Sequence, residues 1–195
     1  MSKKTDSSVI ILSAGKSSRM REHKALLQFD ENNTFIQKIV KTYLQFGCRQ
    51  VIVVANPDNF QSIESLNLSC KIVVNESFEK GRFSSINKGL KELLDEKYVF
   101  IQNVDNPFVN KDILDKLFFF RSENCYISPL YKNKGGHPIL IPNKIYTKIQ
   151  REKTQNQNLN LFLQQFCRKN VLINEPKILL NINSKEDYYK FFKIN

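Results

Sequence analysis

Short apolar runs alternate with stretches of helical spacing along most of this chain. Residues 9–13, 50–55, 70–74, 98–102 and 126–129 are rich in Val, Ile and Tyr and are bounded by polar or turn residues, the pattern of buried strands. Between the first two runs lies 34–46, where Phe35, Ile39, Val40, Tyr43, Leu44 and Phe46 recur at helical spacing. Thr34 with Gln37 fits a capping box, and Gly47 is placed to end that helix. Further helices fit 60–66, 84–94 and 111–120. Alternation of this kind predicts an α/β fold of three layers: a mostly parallel sheet with helices on both faces.

The last third is less regular. Residues 139–141, 171–173 and 178–180 read as short strands, and 144–150 and 159–166 as helices. Ser184 can cap a closing helix that runs to 192. The polar stretch 151–158 is the expected mobile loop. With no internal repeat and no linker, residues 1–195 read as a single domain, with the polar segment 1–7 expected to be flexible.

Composition changes this picture little. Thirty Lys and Arg against 19 Asp and Glu give a net charge of +11, which favours anionic partners. The cations are spread along the chain without a block, and Lys80-Gly81-Arg82-Phe83 lacks the continuation of an RNA-binding RNP string, so nucleic acid is not the expected partner. Cys48, Cys70, Cys125 and Cys167 lie far apart in neither a zinc nor a disulfide pattern; burial as small apolar thiols in a reducing compartment is expected. The first apolar run is too short for a signal peptide or membrane span. A soluble, cytoplasmic protein, monomeric by default, is the expectation.

The densest chemistry follows the first strand. Leu12, Ser13, Ala14, Gly15, Lys16, Ser17, Ser18 and Arg19, with Lys24 beyond, form a small-residue bend rimmed by hydroxyls and cations. A buried strand that opens into exposed backbone N–H groups and positive charge can hold a phosphate chain. It is not a Walker loop, because Ile10 stands where that motif needs its first glycine, and the Rossmann glycines are missing.

Residues 12–24 resemble the L-A-[AG]-G-x-S-x-R-M-G-x-x-K signature of the MobA-like nucleotidyltransferases, with Arg21 in place of the glycine after Met20. Three more segments match in order. Residues 75–90 resemble the family's G-x-x-x-S segment; there Gly81 permits close backbone approach, and Ser84 and Ser85 offer hydroxyls at a helix start. Residues 102–107 resemble its D-x-P turn and 181–188 its closing segment, with Asn183 at the second acidic position and Lys185 in place of proline. Gly135-Gly136-His137-Pro138 matches the G-H-P segment of the cytidylyltransferase branch.

The resemblance implies a Rossmann-like nucleotide-diphospho-sugar transferase fold and Mg²⁺-dependent transfer of a nucleoside monophosphate to a small phosphorylated acceptor, with release of pyrophosphate. It implies Arg19, Lys24 and Asp105 as catalytic residues and Asp105 with Asn183 as metal ligands. The residues from Leu12 to Arg19, with Lys24, Asn56, Asn75, Gly81, Ser84, Ser85 and Asp105, would bind nucleotide. Gly136, His137 and Pro138 would shape the acceptor side, with His137 assigned no role as a general base. Ala14 and the G-H-P segment favour CTP, and molybdopterin is the family's best-known acceptor. The alternatives are a guanylyl- or other sugar- or alcohol-phosphate transferase of the same fold, or a non-catalytic nucleotide- or nucleic-acid-binding protein. Arg21, Asn183 and Lys185 are the departures that speak for the last.

Overall fold

The computed structural model describes residues 4–16, 20, 22–152 and 158–192. The strands are β1 (Ser7–Leu12), β2 (Gln28–Asp30), β3 (Asn33–Thr34), β4 (Val51–Ala55), β5 (Lys71–Val74), β6 (Tyr98–Asn103), β7 (Cys125–Tyr131), β8 (Lys134–Gly135), β9 (Ile139–Pro142) and β10 (Cys167–Leu172). The helices are α1 (Phe35–Phe46), α2 (Pro57–Glu64), α3 (Arg82–Leu90), α4 (Lys111–Phe119), α5 (Asn143–Arg151), α6 (Leu159–Leu163) and α7 (Lys185–Phe191). The main sheet runs in the order β10-β7-β9-β6-β1-β4-β5, with β8 paired to β7. All neighbours on this path are parallel except β9, which is antiparallel to both β6 and β7.

Both faces of the sheet are covered, which is why its central strands are continuous apolar runs and not alternating ones. Val9 and Ile11 of β1 belong to the apolar layer that holds α1 and α4. Ile10 and Leu12, pointing the other way, belong to the layer that holds α3, α5 and α6. Gly89 lets α3 lie flat on this second face: a Cβ there would meet Ile10 Cγ2 at 2.6 Å. Helix α1 carries the expected capping box of Thr34 and Gln37, and it ends at Gly47 with φ +99°.

Several expectations are corrected. Ser7 is fully buried at the start of β1, and the Thr5 N–H donates to the Gly47 carbonyl, so order begins inside the segment 1–7. Residues 178–180 form no strand; Pro176–Leu179 is a 3-10 turn in which Glu175 accepts from the Lys177 N–H and Pro176 fixes the first helical position. Helix α2 begins three residues before the expected 60, because Asn56 caps it and Pro57 occupies its first position. Cys125 and Cys167 are not buried thiols. They are register partners on β7 and β10 and form a disulfide with Cα atoms 4.5 Å apart. Cys48 is buried as a free thiol, and Cys70 is partly exposed. The centre of the expected mobile loop, 153–157, lies outside the described residues. Among the described residues no helix is long and apolar enough to cross a membrane.

Candidate active site

The chain leaves β1 for β4 and β5 on one side, then returns to β6 on the other side of β1. Ligands of open α/β sheets bind at such a switch point, beyond the carboxyl ends of the strands. Here the ends are aligned in register, Leu12 beside Asn103, and the Val104 N–H donates to the Leu12 carbonyl at 3.1 Å. The bend after β1 and the Asp105 turn after β6 therefore open into one cleft of about 500 Å³.

Of the residues singled out by sequence, Leu12, Ser13, Ala14, Gly15, Lys16, Lys24, Gly81, Ser85, Asp105 and His137 line this cleft. Ser17, Ser18 and Arg19, with Arg21, lie outside the described residues. Asn56 is fully buried and sits behind the loop: its side chain caps α2 and donates to the Ala14 carbonyl at 3.2 Å. Asn59, missed in the sequence, does the same for the Ser13 carbonyl at 2.8 Å. These two amides brace the Ala14 and Ser13 carbonyls from beneath, while the Ser13 N–H donates to the Val54 carbonyl at 2.9 Å.

The opposite wall is the start of α3. Gly81 has φ +88° and ψ −176°, a region open essentially to glycine alone. The Asn75 amide donates to both the Ser84 and Ser85 hydroxyls at 3.0 Å, and Ser84 donates in turn to the Gly81 carbonyl. Asn75 and Ser84 thus shape the helix start from behind the cleft, and Ser85 faces it. Across the mouth, Lys16 Nζ pairs with Glu79 at 2.6 Å; both side chains are exposed, so the pair is weak and easily opened by an anion.

The floor is charged and partly buried. Lys24 Nζ donates to Asn183 Oδ1 at 2.7 Å and lies 3.6 Å from Asp105 Oδ2. The Ile182 N–H donates to the Asp105 carbonyl at 2.8 Å, which brings the closing segment against the turn and sets Asn181 into the cleft wall. Beneath, the Gln102 amide donates to the Asn106 carbonyl, and the Tyr43 hydroxyl donates to Gln102 Oε1. Asn106 in turn donates to the Lys177 carbonyl. Burial raises the Asp105 carboxyl above its ordinary range; the Lys24 and Arg82 charges pull it back only in part. Its Oδ1 is buried without a hydrogen-bond partner.

His137 lines the wall beside β6, its Nε2 3.3 Å from the Asn103 amide nitrogen. Gly136 before it is buried, and a Cβ there would meet the Ile178 carbonyl oxygen at 2.6 Å, so only glycine fits. The His137-Pro138 bond is cis, and Pro138 is buried away from the cleft lining. Burial lowers the imidazole from 6.5 to about 4, with Arg82 adding to the effect. The unfolded chain then binds this proton near 6.5 and the folded chain only near 4. Stability should fall as pH drops through that window, by up to about 3 kcal/mol. Unfolding free energies at pH 7.5 and 4.5 are expected to diverge more in the wild type than in His137→Gln. An equal decline in the two proteins would contradict the neutral, buried imidazole.

Beyond the expected residues, Phe78, Glu79, Arg82, Asn103 and Asn181 also face the cleft. Among the described residues no group of three or more His, Cys, Asp or Glu could hold a metal by itself. The orphaned Asp105 oxygen nevertheless suits a divalent ion that takes its remaining ligands from phosphate and water.

The chain is 24% identical over 190 residues to the probable molybdenum cofactor guanylyltransferase of Clostridium perfringens, covering 96% of this chain and 91% of that protein. It is 28% identical over 195 residues to the molybdenum cofactor guanylyltransferase of Campylobacter jejuni, covering 93% of each. Among solved structures, Rv0371c of Mycobacterium tuberculosis H37Rv superposes with a TM-score of 0.84 at 18% identity, over 98% of this chain and all of that one. A complex of the same protein with manganese gives 0.79 at 15% identity, with the same coverage. The model of the MobA-like NTP transferase domain matches residues 9–170, and the chain belongs to that family.

Proposed function

We propose that this nucleotidyltransferase moves a guanylyl group from GTP to the phosphate of molybdopterin and releases pyrophosphate. The observation that carries the reading is the meeting of the β1 bend, Lys24 and Asp105 in one cleft at the switch point of the sheet. Guanine is preferred to cytosine because the similar proteins from Clostridium and Campylobacter are named guanylyltransferases. The cytidylyl expectation rested on the Ala14 methyl as a barrier to a purine. Ala14 lines the cleft with only 5% of its surface exposed, so its methyl does not by itself choose between the bases, and the names of these relatives set the preference.

In this reading the loop N–H groups and Lys16 hold the β- and γ-phosphates, with Lys16 leaving Glu79 as it does so. Lys24, fixed by Asp105 and Asn183, neutralises charge developing at the α-phosphate and on the departing pyrophosphate. Asp105 offers its free oxygen, and Asn183 its amide oxygen, to the magnesium ion that accompanies the triphosphate. Bound there, the ion would act as a Lewis acid and template. No nucleophilic side chain is required, since positioning and charge neutralisation supply most of the acceleration.

Pyrophosphate release with molybdopterin and Mg²⁺, compared across GTP, CTP, ATP and UTP, tests the proposal. GTP should exceed CTP in kcat/KM by about tenfold or more, the scale on which a base-reading pocket discriminates. Preference for CTP would restore the cytidylyl alternative, and no release with any triphosphate would remove the transferase reading.

A further inference from the structure

Three described cations line the cleft: Lys16, Lys24 and Arg82. Lys16 is paired with Glu79, and Lys24 with Asp105 and Asn183. Arg82 makes no hydrogen bond or ion pair among the described residues. It also stands where local electrostatics disfavour it, as the first residue of α3, at the positive end of the helix dipole. No acidic residue in that first turn offsets it, and the glycine cap brings no side chain. The Arg82 charge is favoured instead by Asp105 in the same cleft, so the cleft and not the helix sets this residue.

Position narrows its role. Arg82 lies on the wall facing the β1 bend, and its charge acts on both Asp105 and His137. On its far side it borders a second recess of about 340 Å³, walled by Lys80, Phe83, Asn158 and Asn160. The triphosphate already has the loop N–H groups, Lys16 and Lys24. Arg82 thus borders both the cleft and the recess, and a second anionic reactant entering from the recess would meet it there. A planar fork of donors fits a phosphate group by two parallel hydrogen bonds, which a lysine cannot reproduce.

We propose that Arg82 grips the phosphate of the acceptor and aligns it for attack, an inference that rests on the nucleotidyl-transfer reading above. An oxygen of the acceptor phosphate forms a new bond to the α-phosphorus while the bond from that phosphorus to the bridging oxygen breaks, and pyrophosphate departs with that oxygen. The attacking group is already ionised, so no proton has to move. Without a cation at the junction, acceptor and triphosphate would repel each other at the distance where the bond must form.

The test separates acceptor from nucleotide. Arg82→Ala should raise the KM for molybdopterin about tenfold to a hundredfold, the loss expected for a charge-assisted pair of hydrogen bonds. Arg82→Lys should recover part of that loss. GTP affinity, measured by calorimetry, should stay within about twofold in both. A second arm does not need the acceptor's identity: a phosphorus NMR titration of inorganic phosphate onto the protein loaded with Mg²⁺ and α,β-methylene GTP. Phosphate should bind at least about tenfold more weakly to Arg82→Ala than to the wild type. Unchanged phosphate affinity, or a parallel fall in GTP affinity, would overturn the assignment. Should wild-type protein form no product with molybdopterin, that outcome counts against the acceptor named above, and the phosphate titration still decides the role of Arg82. If Arg82→Ala fails to fold, Arg82→Gln replaces it in both arms.

Discussion

Lys24→Ala is expected to reduce turnover by about a hundredfold to a thousandfold, the loss typical of one preorganised charge aimed at a transition state. The lysine side chain is 15% exposed, fixed on one side by Asn183 and on the other by Asp105, so its position does not depend on substrate. An ammonium held in this way meets developing phosphate charge without reorganising first. The variant should fold, because the central layers are built from β1, α1 and α3 and do not include this side chain. Pyrophosphate release and a thermal melt on the same sample read the two effects apart. Near-normal turnover would remove Lys24 from the chemistry; a collapsed melt would make its role structural.

Asp105→Asn should also cut turnover by about a hundredfold or more, through loss of the anionic oxygen offered to the metal. Its pH signature is distinctive. Burial holds the Asp105 carboxyl of the metal-free protein above its ordinary range, so protons should compete with Mg²⁺ for it and the acid limb of activity should move down in pH as Mg²⁺ is raised. The residual activity of Asp105→Asn should lack this limb. Stability moves the other way. A carboxyl raised by folding contributes stability at low pH that is lost as pH rises through its folded value. At neutral pH the ionised side chain therefore costs stability, and Asp105→Asn should melt no lower than the wild type. A lower melting temperature with an unchanged pH profile would contradict this account of the site.

Much of this was legible in the sequence because both faces of the central strands are buried. β1 read as an apolar run, and the abrupt change at Ser13 marked its end and the start of the bend that lines the cleft. Thr34, Gln37 and Gly47 announced α1 through capping chemistry that depends on near neighbours alone. Edge elements were harder to read. Most of β10 is exposed, and its Arg168, Lys169 and Asn170 give no apolar signal, since its order comes from pairing to β7. The Cys125-Cys167 link was invisible for the same reason, as 42 residues separate two cysteines brought together only by that pairing. Within the site, short motifs located Lys24 and Asp105, whereas Asn59, Asn181 and Arg82 became visible only through long-range contacts. Asn56 shows the opposite case: its place at the end of β4 was read correctly, yet its amide serves the loop from beneath and does not line the cleft.

The most direct test of the central claim follows the fate of label from GTP carrying radioactive phosphorus at either the α or the γ position. With Mg²⁺ and molybdopterin, α-label should appear in the acceptor product and γ-label in pyrophosphate, both dependent on Lys24 and Asp105. Release of γ-label as inorganic phosphate, or α-label that never leaves the nucleotide pool, would contradict in-line guanylyl transfer in this cleft.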